Sequence, residues 1–328
     1  MPKFKKIEKP SETTVDSLIK EYSDFLVIGS DPSLQFGRIS FGIPALDNLT
    51  GGGIPKKRIT ILMGSTNVGK SYLASQIARN VQKNNGLVAW LDTEISWDSN
   101  WMEKCGLDTS KVLLSQPITG EDSFDLIRNL MKEGVDLIVL DSMAGLVPSA
   151  IQDEDFSYNP MAWQARFINQ SLPRIMPFLK YGSALVLINQ TRASMGPVSM
   201  PNMPGGQGQT FFSHFIIELR RSGWIEDSIN VEGKKVIKKV GFDIDIIIRK
   251  SKIGGQSYDK CTVPFKLEGG IDLMETFVRE AIAKGLIHQA GPWFNIFDTQ
   301  KCLGMNGVRE YFTTNPDQFE VLKQRVIQ

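Results

Sequence analysis

The segment Gly64-Ser65-Thr66-Asn67-Val68-Gly69-Lys70-Ser71 fits the phosphate-loop pattern G-x-x-x-x-G-K-[ST] at every fixed position. An apolar run at 59–63, typical of a buried strand, precedes it, and apolar residues at helical spacing follow at 73–81. In that context, backbone N–H groups of the loop and of the helix N-terminus converge on the β- and γ-phosphates of a nucleotide. Lys70 would place a positive charge between those phosphates, and the Ser71 hydroxyl would ligate Mg²⁺. The segment therefore predicts a site for a nucleoside triphosphate.

The composition is that of an ordinary soluble globular protein: of 328 residues, 41% are hydrophobic and 22% are charged. This length allows one large domain with appendages, or two domains. No apolar stretch approaches the roughly 20 residues of a membrane span, and the basic N-terminus is not followed by the apolar core of a secretion signal. Cys105, Cys261 and Cys302 are far apart and odd in number, so we expect a cytoplasmic protein without disulfides or a zinc site. The formal net charge of +1 gives no support for nucleic-acid binding, which would need a local site.

Four apolar runs separated by helical patterns predict an α/β core with a mostly parallel central sheet and right-handed crossovers. The strand candidates are 59–63, 87–92, 137–141 and 184–189. Two irregular stretches, one at 148–162 and one that begins at 191, interrupt this pattern. Loops of such length inside a compact domain are usually functional or disordered.

Both flanks of this core have recognisable patterns. Thr13 and Asp16 form a capping box that opens a short amphipathic helix, which must pack on its own core or on a neighbouring subunit because it is marginal alone. After the core, the runs 214–219 and 241–249 predict two strands around a basic turn at 232–239. These strands would extend the sheet as a hairpin.

The last part of the chain, from Asp272, predicts a small α/β appendage. We expect a helix that ends near Gly285, a strand at 292–296, and a final helix that begins at Pro316 with proline in its first turn. Acidic and basic side chains are nearly balanced there, so charge assigns this appendage no partner.

Polar side chains stand where the predicted strands end. Asp141 closes an apolar strand and can hold Mg²⁺ through water, although a strand-end aspartate can also simply cap the next turn. Hydrolysis needs a group that activates water near the γ-phosphate, and Glu94 is the better candidate although spacing alone leaves Asp92 open. Another predicted strand ends in Asn189-Gln190, where a neutral amide can hydrogen-bond a γ-phosphate and report its presence to the loop that begins there, although it can also be simply a polar strand-end residue. These strand ends therefore predict an ATP-hydrolysing site.

Trp101 and Asp98 follow the second strand and suggest an adenine pocket. An aromatic ring there could stack on adenine while the carboxylate accepts from its amino group. The alternative is that Trp101 belongs to the core, which is the commoner role of an aromatic residue on a helix.

Taken in this order, the motifs resemble those of the bacterial RecA-type recombinases and their phage relatives. The resemblance covers roughly residues 38–328 and involves several motifs, which are more specific together than the phosphate loop alone. The matching segments, besides the phosphate loop, are 41–47, 51–55, 92–94, 114–120, 140–142, 188–192, Gly205-Gly206 with Phe211, 249–253, 290–294 and 314–317.

The resemblance implies a division into three parts. Residues 1–37 would form an N-terminal segment with an oligomerisation helix, residues 38–271 a RecA-like P-loop ATPase core, and residues 272–328 a C-terminal α/β domain that captures duplex DNA. Within the core, the stretches 150–162 and 191–207 would be the two loops that hold single-stranded DNA.

The resemblance also implies roles for individual residues. Glu94 would activate water, Gln190 would sense the γ-phosphate, and Asp98 with Trp101 would contact adenine. Lys250 and Lys252 match a pair that reaches the ATP of the neighbouring subunit. The predicted DNA contacts are Met161 and Arg166 at the first loop, and Arg192, Met195, Gly205 and Gly206 at the second.

Some features depart from the common bacterial pattern. The second loop is slightly shorter than in that common pattern, and Arg192 is its only basic residue. The first loop contains Asp153, Glu154 and Asp155, and an acidic C-terminal tail is missing. The shorter form favours a phage-encoded member.

The resulting prediction is an ATP- and Mg²⁺-dependent recombinase. It would form a helical filament on single-stranded DNA, with ATP at subunit interfaces, and catalyse homologous pairing and strand exchange with duplex DNA. The alternatives are a hexameric helicase with the same ATPase core, and a nucleotide-gated DNA-binding assembly module with little turnover.

Overall fold

The computed structural model of the protein describes residues 14–151, 160–191, 203–206, 208–231, 234–254 and 259–327. The chain divides into two compact units, residues 1–37 and 38–328. In the first unit, helix α1 (Val15–Glu21) has no buried residue, and Thr14 caps it by accepting a hydrogen bond from Ser17 N at 3.3 Å. The expected capping box is therefore wrong by one position, because Thr14 and not Thr13 occupies the N-cap.

The second unit is built around a nine-stranded sheet with the order β11-β10-β9-β8-β3-β7-β6-β4-β5. The six strands from β8 to β5 in this order run parallel, and β9, β10 and β11 continue the sheet antiparallel. The α/β fold with a mostly parallel central sheet is thus confirmed. The strands are β3 (Ile59–Gly64), β4 (Val88–Asp92), β5 (Val112–Ser115), β6 (Leu137–Asp141), β7 (Ala184–Gln190), β8 (Phe215–Val231), β9 (Lys234–Ser251), β10 (Lys260–Lys266) and β11 (Gly270–Ile271), with a separate pair β1 (Arg38–Ile39) and β2 (Ile54–Pro55).

Helices cover both faces of this sheet, which explains why its central strands are continuous apolar runs. Successive residues point to opposite faces, so Leu62 and Val139 join one apolar cluster with α3, whereas Ile61 and Leu140 join the other with α5 and α6. The helices of this part are α2 (Pro44–Thr50), α3 (Lys70–Lys83), α4 (Ser99–Lys104), α5 (Gly120–Lys132), α6 (Pro160–Ile175) and α7 (Gly208–Phe212).

Two predicted boundaries are wrong. The residues expected as a basic turn at 232–239 mostly belong to β9, since β8 and β9 pair up to Val231 and Lys234. Cross-strand pairs such as Glu226 with Lys239 place opposite charges side by side and favour this longer hairpin. The first irregular stretch is also shorter than expected, because α6 begins at Pro160, a residue suited to the first helical position.

The C-terminal part has its own small sheet and apolar core. Helix α8 (Leu273–Ala283) ends before Gly285, and α10 (Pro316–Ile327) begins at the expected proline. Between them lie β12 (Ile287–Ala290), β13 (Trp293–Ile296), β14 (Gln300–Leu303) and α9 (Gly304–Thr314), of which β13 was predicted. Their buried residues form one cluster that includes Val278, Ile296 and Leu322. The domain boundary at 272 stays a prediction, since residues 38–328 cluster as a single unit.

An ionic cluster holds the start of α8. Asp272 caps the helix through Glu275 N at 3.0 Å, contacts Arg309 and lies 2.9 Å from Lys266 Nζ. Burial raises the pKa of Asp272, but the hydrogen bonds from Arg309, Glu275 N and Lys266 outweigh it and hold that pKa at about 2. Within the described part of the chain, no helix is long and apolar enough to cross a membrane.

Candidate nucleotide-binding and hydrolysis site

The phosphate loop joins the end of β3 to the start of α3, as the sequence predicts. Its glycines are sterically required: a Cβ on Gly64 would lie 2.5 Å from Leu219 O, and Gly69 has a left-handed φ of 93°. Lys70 is 7% exposed, and its Nζ donates to Gly64 O at 3.1 Å and to Ser65 O at 2.7 Å. The ammonium group is therefore held inside the curve of the loop.

The carboxylates around the loop form one electrostatic cluster with Lys70. Burial lowers the pKa of Lys70, while the charges of Asp141 and Glu94 oppose that shift. The pKa of Asp141 is raised to about 6, because burial and the charges of Glu94 and Asp92 outweigh the opposing hydrogen bond from the Ser71 hydroxyl and the charge of Lys70. Lys70, Ser71 and Asp141 thus lie together at one edge of the sheet, with Glu94 close enough to influence them.

Asp92 and Glu94 have different surroundings although they are close in sequence. Asp92 is 1% exposed, and its Oδ2 accepts from Ser96 N at 2.8 Å, Trp97 N at 2.9 Å and Gln116 Nε2 at 3.1 Å. Glu94 is exposed at the strand end. Asp92 therefore organises the turn after β4, whereas Glu94 is accessible to solvent.

Glu94 is hydrogen-bonded to the tips of two other strands. Its Oε1 accepts from Gln190 Nε2 at 2.9 Å, at the end of β7, and from Ser142 Oγ, just after β6. Thr93 joins the chain after β4 to the chain after β6, because its Oγ1 donates to Ser142 O at 2.7 Å and accepts from Ser142 N at 2.9 Å. Sequence reasoning assigned no role to Thr93 or Ser142, although both lie within the motifs that carry the resemblance.

Asp98 and Trp101, the two residues predicted to contact adenine, make contacts within the protein. Asp98 caps α4 and accepts from Trp101 N at 3.2 Å, while Trp101 is partly buried against the core. The burial of Trp101 matches its alternative role as a core residue, and the contact of both residues with adenine stays a prediction.

Lys250 and Lys252 converge on α7 and not on the phosphate loop of their own chain. Lys250 Nζ donates to Thr210 O and, at 2.9 Å, to Ser213 O, and Lys252 Nζ donates to Phe211 O at 2.8 Å. Burial and, to a smaller extent, the charge of Lys252 together lower the pKa of Lys250 to about 8. Lys250 belongs to β9, which ends at Ser251, whereas Lys252 lies in the bend that follows the strand.

The lysine pair is separated from the phosphate loop by a whole strand, since β8 lies between β9 and β3. The two basic groups nevertheless bind the adjacent carbonyls of Thr210 and Phe211 in α7, so they act on one surface.

Of the predicted DNA contacts, the structure describes three in full. Arg166 is exposed on α6, with its guanidinium 5.9 Å from the centroid of the Trp163 ring. Gly205 and Gly206 have left-handed φ values of 92° and 76°, and a Cβ on Gly205 would lie 2.5 Å from Ile168 Cδ1 of α6. The end of the second loop therefore packs on the helix that follows the first. Arg192, Met195 and the side chain of Met161 lie outside the described residues.

A strand–loop–helix phosphate site, with carboxylate and amide side chains on the tips of neighbouring parallel strands, defines a P-loop nucleoside triphosphatase core. Comparison with known proteins specifies the family. The family model of the RecA N-terminal domain matches residues 11–256. The chain belongs to the RecA family.

Curated relatives agree with this assignment over nearly the whole chain. Protein RecA of Thermus aquaticus is 31% identical over 327 residues, which cover 98% of this chain and 94% of the relative. Protein RecA of Rhodopirellula baltica is 30% identical, with 96% of this chain and 84% of the relative covered. Protein RecA of Cytophaga hutchinsonii is 29% identical, with 98% and 90% covered.

Proposed function

We propose that this protein is an ATP-dependent DNA recombinase that assembles into a helical filament on single-stranded DNA and catalyses homologous pairing and strand exchange with duplex DNA. The observation that carries this proposal is the hydrogen bond from Gln190 Nε2 to Glu94 Oε1 at 2.9 Å. It connects the candidate hydrolytic carboxylate to the residue from which the second predicted DNA loop begins. Membership of the RecA family supplies the reaction class.

Residues 64–71 would bind the triphosphate through backbone N–H groups, with Lys70 compensating the charge of the β- and γ-phosphates. Ser71 and Asp141 are hydrogen-bonded to each other and supply the hard oxygen donors that Mg²⁺ prefers. When bound, Mg²⁺ would neutralise part of the phosphate charge. The pKa of Asp141 at about 6 leaves this carboxylate mostly ionised, and thus able to serve as a ligand, at pH 7.

We assign the activation of the attacking water to Glu94. Its exposure at the strand end supports this role, because a general base must reach the water. Asp92 is the weaker candidate, since one of its oxygens already accepts three N–H donors. Gln190 would exchange its bond with Glu94 for a bond with the γ-phosphate and so register which nucleotide is bound.

Lys250 and Lys252 would complete the ATP site of the next subunit. Their distance from the phosphate loop in the sheet order supports a contact made in trans. A head-to-tail interface of this kind is heterologous, and such an interface generates a helix when it does not close into a ring. Assembly would then replace their contacts with the α7 carbonyls by contacts with phosphate.

Single-stranded DNA would lie against the two loops, near Arg166 and the Gly205–Gly206 turn. Few basic side chains are available there, so backbone amides and apolar side chains would provide much of the contact. The base pairing between strands would supply sequence recognition, and the protein would hold the strands extended.

Electron microscopy of the protein with single-stranded DNA and a non-hydrolysable ATP analogue tests this proposal. We expect open helical filaments that require both the DNA and the nucleotide. Closed rings would favour the hexameric helicase, and isolated protomers on DNA would contradict assembly.

A further inference from the structure

A pair of amide side chains, Asn189 and Gln209, is completely buried where β7 ends. Both residues are 0% exposed, and Asn189 Nδ2 donates to Gln209 Oε1 at 2.8 Å. Burying an amide is unfavourable unless its polar atoms are hydrogen-bonded, so such a pair restricts the chain to arrangements that satisfy it. The pair therefore needs a reason beyond packing.

The amide pair holds the end of the second loop. Pro204 O accepts from Asn189 Nδ2 at 3.0 Å and from Gln209 Nε2 at 2.6 Å, and Gly206 O accepts from Gln209 Nε2 at 3.1 Å. These three bonds fix the turn that contains Gly205, which in turn packs on α6. The C-terminal end of the loop is thus fastened to the strand from which the loop begins.

The beginning of the loop is fastened to the phosphate loop. Thr191 N donates to Gly64 O at 3.0 Å, and this same carbonyl accepts from Lys70 Nζ at 3.1 Å. The residues on either side of Gln190 therefore hold the two ends of the loop, Thr191 its start and Asn189 its end. Because the three residues are consecutive, a displacement of the Gln190 backbone would move both the Thr191 and the Asn189 hydrogen bonds.

The amide pair also has an unused bonding capacity. Asn189 Oδ1 is buried and has no hydrogen-bond partner in the part of the chain that the structure describes. Buried acceptors are satisfied in the great majority of native structures, so an unpaired one requires an explanation. A second arrangement of the turn, in which a backbone N–H reaches this oxygen, would give the amide pair the two states that coupling between sites requires.

We propose that Asn189 and Gln209 are positioning residues that transmit the nucleotide contact of Gln190 to the second DNA loop. They touch neither nucleotide nor DNA. When Gln190 changes partner, the Asn189–Gln209 clamp carries the movement to Pro204 O and Gly206 O, and through Gly205 to α6. This inference rests on the proposed function, because it presumes that Gln190 contacts the γ-phosphate.

The variants Asn189→Leu and Gln209→Leu test the proposal, because leucine has the branched shape of asparagine and a size similar to that of glutamine but forms no hydrogen bonds. Two quantities are measured. The first is the change in amide hydrogen exchange at 203–212 when a non-hydrolysable ATP analogue is added without DNA. The second is the ratio of the affinities for oligothymidine with and without the analogue. In the parent we expect a clear exchange response and an affinity ratio within the roughly 5–150-fold range of allosteric couplings. In both variants the exchange response should disappear and the ratio should fall to within about twofold of unity, while analogue binding stays near the parental value.

Three further proteins separate coupling from folding. Gln76→Leu is the matched control, because Gln76 is also buried, at 4% exposure, and its side chain donates a 2.9 Å hydrogen bond to Cys105 O, outside the second loop. This variant should keep the parental ratio of oligothymidine affinities. The exchanged pair Asn189→Gln/Gln209→Asn should restore much of the response. If a single leucine variant fails to fold, the double leucine variant replaces it, because it leaves no unpaired amide side chain, although Pro204 O and Gly206 O lose the same donors.

The outcomes distinguish this inference from the proposed function. Folded variants that keep both the exchange response and the affinity ratio would overturn the inference. A parent that responds to the analogue at 203–212 but does not bind oligothymidine would contradict the proposed function and leave the coupling supported. A parent without any response at 203–212 would overturn the coupling itself.

Discussion

Glu94→Gln should nearly abolish ATP hydrolysis without disturbing the fold. Glutamine keeps the size of the side chain and an oxygen that can accept from Gln190 Nε2, which lies 2.9 Å from Glu94 Oε1. It cannot take a proton from the attacking water, and a positioned general base contributes about 10²–10⁴-fold to a rate. The DNA-stimulated turnover should therefore fall by about that factor, with ATP affinity and melting temperature close to those of the parent.

Asp92→Asn should have the opposite effects. Asp92 Oδ2 accepts three N–H donors, at 2.8, 2.9 and 3.1 Å, and the substitution removes the charge that strengthens these bonds. Hydrogen bonds to charged groups contribute about 1 kcal/mol more than neutral ones, so the free energy of unfolding should fall by about 2–3 kcal/mol. The melting temperature should then fall by about 4 °C, while turnover per folded molecule stays near the parental value.

Steady-state phosphate release with single-stranded DNA and thermal unfolding, measured on both variants, decide between the two carboxylates. Parental turnover by Glu94→Gln protein would refute its assignment as the base. A loss of about 100-fold in folded Asp92→Asn protein, the lower range expected for a general base, would transfer that role to Asp92.

Four further outcomes follow from the same structure. Lys70→Ala should weaken ATP binding about 100-fold, as titration calorimetry would measure, because the phosphates lose a charged hydrogen-bond donor; affinity within a few-fold of the parent would contradict the role of Lys70. Lys250→Ala/Lys252→Ala protein should lose DNA-stimulated hydrolysis yet regain part of it when mixed with Glu94→Gln protein, and mixtures that co-assemble without gaining activity would place the lysines outside the neighbour's ATP site. The slope of log affinity for single-stranded DNA against log salt should be only about −1 to −2 per protomer, and a slope of −5 or steeper would show that other basic residues bind the DNA. The folded pKa of Asp272, about 2, lies below its usual value of 3.8, so the ionised carboxylate stabilises the fold above pH 4 and this stabilisation is lost as the pH falls toward 2. Asp272→Asn should lower the free energy of unfolding by about 2 kcal/mol at pH 7, as denaturant unfolding would measure, without change in ATP turnover. An unchanged free energy of unfolding would show that the pKa of Asp272 is not depressed.

The parts of the fold that depend on local sequence could be predicted. The phosphate loop and its flanking strand and helix are contiguous, and the central strands are recognisable because burial on both faces makes them continuous apolar runs. The strand β5 was not predicted, since its Leu113 and Leu114 lie at an exposed edge and give a short, ambiguous pattern.

The parts of the site that depend on contacts between distant segments could not be predicted. Sequence left Asp92 and Glu94 open as bases, because the distinction depends in part on Gln116, which reaches Asp92 from the segment after another strand. The Asn189–Gln209 bond joins residues on either side of the long second loop, and no local pattern indicates it. The length of the β8–β9 hairpin likewise depends on pairing in register, which composition does not report.

Strand exchange between a circular single strand and a homologous linear duplex tests the central proposal most directly. We predict that the protein forms joint molecules and that their formation requires ATP, Mg²⁺ and sequence homology. Lys70→Ala protein should form none. Separation of the duplex strands regardless of homology, or DNA binding and ATP turnover without any joint molecules, would contradict the assignment of this protein as a recombinase.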